Sequence, residues 1–206
     1  MRSMSPRLSL STLSLLLLGI MLPSAAVAQA APPAAQQIAG AVTALPEDMR
    51  AGAAVMGYNA AFKLTSMRKG TNGMICLADS PGDSLFDVRC YHRSFMPLVT
   101  RRRVLARSGM TDSAVTRRID TEVHDGVLKL PTGPTAGYRM LGPIVGYDPV
   151  TNTPTEAIDR WQSLHIPYAT ATDMGVSEES AGIEPYAMAS GTWWAHVMIM
   201  ERPLRY

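Results

Sequence analysis

The chain has 206 residues, 47% of them hydrophobic, with 19 Lys and Arg against 17 Asp and Glu. That length suits one domain with a proper core and hardly two. A net charge of +2 falls far short of the basic surplus needed to displace counterions from a phosphate backbone, so composition argues against a nucleic-acid partner.

The N-terminus reads as an export signal. Arg2 and Arg7 precede an apolar run from Leu8 to Leu22, and Ala26-Val27-Ala28 is a small-x-small cleavage site. The run is too short to be a convincing membrane-spanning helix, and no later run reaches spanning length. The expected mature protein, residues 29–206, is periplasmic or secreted, and no cysteine follows the cleavage site to carry a lipid. Cleavage removes two arginines and no acid, so 19 basic residues become 17 against 17 acids, a formally neutral chain.

Residues 29–50 form a Pro/Ala-rich leader, with Ile38 to Leu45 helical for one or two turns before Pro46. The remainder, 51–206, is expected to be a single domain. Apolar-rich stretches 51–58 and 62–68 flank Asn59-Ala60-Ala61 in hairpin fashion. Asn72-Gly73 between 62–68 and Met74–Ala78 is a second local hairpin signal, since both residues tolerate positive φ. Asp79 to Asp83 is a Pro/Gly loop and Phe86 to His92 a strand. Antiparallel pairing of 74–78 with 86–92 brings Cys76 and Cys90 within bridging reach. An isolated cysteine pair in an oxidising compartment is expected to be a structural disulfide.

Two helices follow. Ser94 is a candidate cap for 95–108, with Pro97 in the first turn and Gly109 just past the end. Thr111 or Asp112 caps a second helix to Asp125, along which Val115, Ile119 and Val123 recur every four residues and Arg118–Glu122 is a favourable pair. Together they suggest a helical hairpin. Strand signals return at 138–147. Thr153-Pro154-Thr155-Glu156 fits a capping box before a short helical turn, and a strand runs through 162–168. Thr170 to Asp173 matches a second capping box closed by Gly175, residues 174–190 read as loop, and Trp193 to Met200 reads as a central strand. The class is α+β with a mainly antiparallel sheet.

The segments Arg68–Ala78, Cys90-Tyr91-His92, His165–Ala171 and Gly191–Met198 resemble a group of secreted bacterial proteins of no known activity. The resemblance spans most of the mature chain and implies export and a single domain. It supplies no cofactor or catalytic residue.

No G-x-S-x-G, P-loop, G-x-G-x-x-G, H-E-x-x-H or C-x-x-C occurs, which lowers the prior for the commonest hydrolase, nucleotide and redox families. The leading chemical constellation is His92, His165 and His196, all in expected strands. Three imidazoles plus water is a common catalytic zinc set, so a divalent metal is the cofactor they would hold, with Asp87 or Asp173 adding a carboxylate. Single strand histidines are, however, commonly core or boundary residues. Ser163 and His165 point to one side of a strand and Ser94 lies near His92, giving serine–histidine candidates. Trp161, Tyr168, Trp193, Trp194 and Tyr186 are candidates to line a ligand pocket. Arg101, Arg102, Arg103, Arg107, Arg117 and Arg118 read better as a solvated, acid-paired helix surface than as an anion site, and the methionines better as core than as copper ligands.

The function expected is therefore a non-catalytic module binding a small molecule or an envelope partner. The alternative is an exported metal-dependent or histidine-based enzyme. Paired imidazoles in an open cleft favour the second; separate, individually satisfied ones favour the first.

Overall fold

The structure is a computed structural model that describes residues 30–180 and 182–201. The signal segment, 1–28, lies outside the described residues. The fold is α+β, built on an eight-stranded sheet in which one neighbour pair is parallel and the rest are antiparallel.

The domain starts earlier than residue 51. Helix α1 (Ala34–Ala41) begins inside the expected leader, and a 3-10 turn (Val42–Ala44) carries the chain into the core, where Ala41, Ala44 and Leu45 are buried. Gln37 explains the order: 6% exposed, its amide donates to the Pro32 and Tyr58 carbonyls and accepts from the Tyr58 N–H. Those bonds tie the helix to strand β1 (Ala54–Tyr58). A single-turn helix, α2 (Glu47–Arg50), joins the two.

Strand β1 pairs with β2 (Leu64–Arg68) through the turn at Asn59, whose side chain accepts from the Ala61 and Lys63 N–H groups. The expected hairpin at Asn72-Gly73 does not form. Strand β3 (Met74–Leu77) crosses over to the far side of β1 and runs parallel to it. Gly70 makes the crossover tight: a Cβ there would lie 2.2 Å from the Ala54 nitrogen, so only glycine lets the two backbones approach. The Asn72 side chain then accepts from the Met74 N–H and donates to the Met49 carbonyl.

Strand β4 (Leu85–His92) pairs antiparallel with β3 in the expected register, Cys76 opposite Cys90, and the two cysteines form a disulfide. Helices α3 (Met96–Arg107) and α4 (Asp112–His124) follow. Thr111 caps α4 as expected, whereas Ser94 caps nothing: its hydroxyl bonds His92 Nδ1 at 2.8 Å, and Phe95 occupies the cap position of α3. Strand β5 (Thr135–Pro143) pairs with β4. The expected helical turn at Thr153 is instead a two-residue strand. Thr153–Pro154 (β7) pairs with Tyr147–Asp148 (β6), and that cross-strand ladder wins over the local cap. Strand β8 (Asp159–His165) adds to β5, and α5 (Ala171–Met174) has the expected capping box, with Gly175 left-handed at its end. Within the expected loop, Tyr186–Met188 forms a short edge strand, β9, beside β10 (His196–Met200).

The sheet order is β2-β1-β3-β4-β5-β8-β10-β9. One face packs against α1, the 3-10 turn and Tyr147 through Val55, Cys76, Phe86, Val88, Cys90 and Met140. On the other face, α3 and α4 cover the β1, β3 and β4 half through Leu98, Val99, Val115 and Ile119, which pack with Leu77 and Tyr91. The two helices are joined by Glu122, which accepts from both Arg101 and Arg118. Among the described residues no comparable layer covers the β5, β8, β10, β9 half of that face.

Candidate functional site

Strand alternation decides what the uncovered half presents. Gly137 and Arg139 of β5 stand opposite Ser163 and Trp161 of β8, and His165, Ser163 and Trp161 stand opposite His196, Met198 and Met200 of β10. Tyr186 and Met188 of β9 pair with Met198 and His196. All these positions share one face. All of them except Gly137 and Met200, with Arg102 of α3 and Trp194, line an open cleft of about 1090 Å³.

At one end Asp87 accepts paired bonds from Arg89 (2.9 and 2.5 Å) and from Arg139 (2.8 and 2.8 Å). Burial alone would raise the Asp87 carboxyl, but the two guanidinium groups outweigh it and hold the pKa down at about 2. The Arg139 guanidinium also lies 4.9 Å above the Trp161 ring, and Arg102 lies 5.5 Å above Trp194. Arg89, Arg102 and Arg139 therefore reach the cleft held on an acid or an aromatic ring, Arg102 also on the exposed Asp112 at 3.3 Å, and the cleft lining itself carries these three arginines against one acid, Asp159.

At the other end His165 and His196, directly opposed on neighbouring strands, place their rings 4.8 Å apart. His165 is 2% exposed and stacks on Phe95 at 4.2 Å. Burial, and then the adjacent His196, push its pKa down to about 3, so it is neutral at any ordinary pH. Burial likewise lowers His196, whose Nδ1 lies 2.7 Å from the Trp194 carbonyl. A carbonyl only accepts, so the proton of neutral His196 is on Nδ1 and Nε2 keeps its lone pair. Ser163 Oγ is 3.1 Å from His165 Nε2, which the absence of a side chain at Gly137 permits: a Cβ there would sit 2.5 Å from that hydroxyl. Among the described residues His165 Nδ1 has no hydrogen-bond partner, nor do the buried Thr135 hydroxyl and Trp193 indole nitrogen.

The structure thus brings two of the three expected histidines together and sets the third apart. His92 lies at the end of β4, on the opposite face, bonded to Ser94. Among the described residues no three His, Cys, Asp or Glu side chains group as metal ligands. Asp87 is committed to its arginines, and Asp173 to the Thr170 cap. Of the five aromatics expected to line a ligand pocket, Trp161, Trp194 and Tyr186 line the cleft. Trp193 is 1% exposed within the helix-side core, and Tyr168 lies outside the cleft with its hydroxyl on Asp120. Met198 and Met200 pack with Tyr186 and with Trp161. Sequence reading did not anticipate Arg89 and Arg139. The period-two spacing that puts Asp87, Arg89 and Tyr91 on one side of β4 was visible, but the pairing of β5 that sets Arg139 beside Arg89, and which face would lie open, were not.

Comparison of the chain with known protein families, with characterised proteins and with solved structures finds no match. No helix among the described residues is long and apolar enough to cross a membrane.

Proposed function

We propose that this protein is an exported binding module without catalysis, and that its ligand is a small organic anion with an aromatic or apolar body, held in the open cleft. The observation that carries the reading is the lining itself: Trp161, Trp194, Tyr186 and Met198 supply apolar contact area, and Arg89, Arg102 and Arg139 supply an excess of positive charge. Such a mix of rigid aromatic walls and a few oriented polar groups is what a small-molecule site needs. Arginines already fixed on an acid or a ring lose little side-chain freedom when they bind an anion. Export rests on the 1–28 signal pattern, and the Cys76–Cys90 disulfide agrees with an oxidising compartment.

The test uses 8-anilinonaphthalene-1-sulfonate, an anionic aromatic probe, with tryptophan-to-probe energy transfer as readout. The expected result is saturable one-to-one binding, weakened at least tenfold by Arg102→Ala and by Trp161→Ala, and weaker for the uncharged N-phenyl-1-naphthylamine. Absence of saturable binding, or equal affinity in both variants, rejects the cleft as the site.

One contact favours a second reading. The Ser163–His165 pair resembles the start of a nucleophile–base relay. Against it, the base has no carboxylate on its Nδ1, and an imidazole that protonates only near pH 3 takes a serine proton poorly at neutral pH. The pair then orders a hydroxyl at the cleft floor without activating it. Turnover of p-nitrophenyl acetate that disappears in Ser163→Ala would restore the enzyme reading.

A further inference from the structure

A second cavity, of about 390 Å³, lies on the opposite face of the sheet, between α1, the 79–83 loop and the 144–149 segment. That volume falls within the range of about 300 to 1,000 Å³ typical of small-molecule pockets. One wall is the Phe86 and Tyr147 rings, stacked with centroids 3.8 Å apart. Ile144 and Val145 stand at its rim, and Val145 is 88% exposed, an apolar side chain that no part of the described fold covers.

The charge of this cavity is the reverse of the cleft's. Its only charged lining residues are Asp79 and Asp83, and neither is in an ion pair among the described residues. Asp79 is positioned by the chain: its Oδ1 accepts from the Asp87 N–H at 2.8 Å. Asp83 likewise accepts from the Leu85 N–H. The contrast with Asp87, which faces the other way and is met by two arginines, is sharp. A half-buried carboxylate beside a second one, with an aromatic wall and no cation, is left short of a positive partner.

We propose that this cavity binds a primary ammonium group carried on an aromatic or branched apolar body, the ammonium between Asp79 and Asp83 and the body against Phe86, Tyr147 and Val145. The electrostatics agree. Burial first, and then the negative charges of Asp83 and Asp87, outweigh the Asp87 N–H bond and together raise the Asp79 carboxyl to a pKa of about 6, a cost that a bound cation would relieve. The Tyr147 hydroxyl, the remaining titratable group at the wall, stays neutral, raised by burial to about 12, and donates to Asn152.

The test is titration of the isotopically labelled protein with 2-phenylethylammonium, followed by NMR, beside the neutral 2-phenylethanol. The expected result is saturable shifts at Ala41, Val88 and Val145, with affinity for the ammonium at least tenfold above that for the alcohol. Asp79→Asn keeps an oxygen for the Asp87 N–H and should lower ammonium affinity about tenfold, and the loop variant Asp83→Asn should lower it less. Equal affinity for amine and alcohol, no change in either variant, or no saturable shift overturns the proposal. Because the probe is a cation and the reporting residues lie across the sheet from the cleft, this result is independent of the anion test.

Discussion

Acidification should destabilise the protein through one buried imidazole, by an amount that follows from its burial. His165 is 2% exposed, and burial with His196 alongside pushes its pKa from 6.5 down to about 3. Between those values the unfolded chain binds a proton that the native state refuses. Unfolding free energy therefore rises with pH, by about 1.36 kcal/mol per unit. The stabilisation is complete above pH 6.5 and is lost as pH falls towards 3. Two units below the unfolded value, at pH 4.5, about 2.7 kcal/mol is gone. The control is His165→Phe, which keeps a ring of similar bulk against Phe95 and removes the titration. Asp79 acts with the opposite sign, because a carboxyl raised to about 6 binds its proton more readily in the native state; it partly flattens the wild-type curve. Asp79 and His196 are common to both proteins and cancel in the difference. Urea unfolding by tryptophan fluorescence at pH 7.5, 6.5, 5.5 and 4.5 gives both curves. The wild type should lose about 2.7 kcal/mol more than the variant between pH 7.5 and 4.5. Parallel curves, or a His165 imidazole that titrates near 6.5 by NMR, would refute the burial argument.

Two further outcomes concern stability alone. Replacing Cys76 and Cys90 by Ala reopens a loop of sequence separation 14 and should cost about 3 kcal/mol, read as a drop in urea midpoint with little change in slope. Gln37→Ala removes two bonds between α1 and Tyr58 and a third to the Pro32 carbonyl, and strands the Tyr58 N–H; a loss of about 2 to 3 kcal/mol is expected, with faster amide exchange at Tyr58 as the local signature.

Elements held together by neighbours in the chain were legible before the structure. The Thr111 cap, the Thr170–Asp173 capping box, the Arg118–Glu122 pair and the Gly109 and Gly175 helix ends are contacts within a few residues, so residue type and spacing suffice. The β3–β4 register was legible for a related reason: one loop separates two apolar runs, and a single pairing brings Cys76 opposite Cys90. The fold class followed from the alternation of such segments.

What the sequence left undecided depends on partners far along the chain. Asn72-Gly73 has the chemistry of a hairpin turn, yet β1 takes the position beside β2, and Gly70 lets the chain pass to β1's other side. Thr153 has the chemistry of a helix cap, yet the residues around it pair with Tyr147–Asp148. Gln37 reads as leader until Tyr58 is beside it. The candidate site follows the same rule. Period-two alternation put Ser163 and His165 on one side, but only the β8–β10 register opposes His165 to His196, only the end of β4 sets His92 on the other face, and only the reach of α3 and α4 leaves half a sheet face open. Local spacing determines local hydrogen bonds and which side chains share a strand face; which face is covered, and which distant charges meet on it, is settled by packing the whole sheet at once.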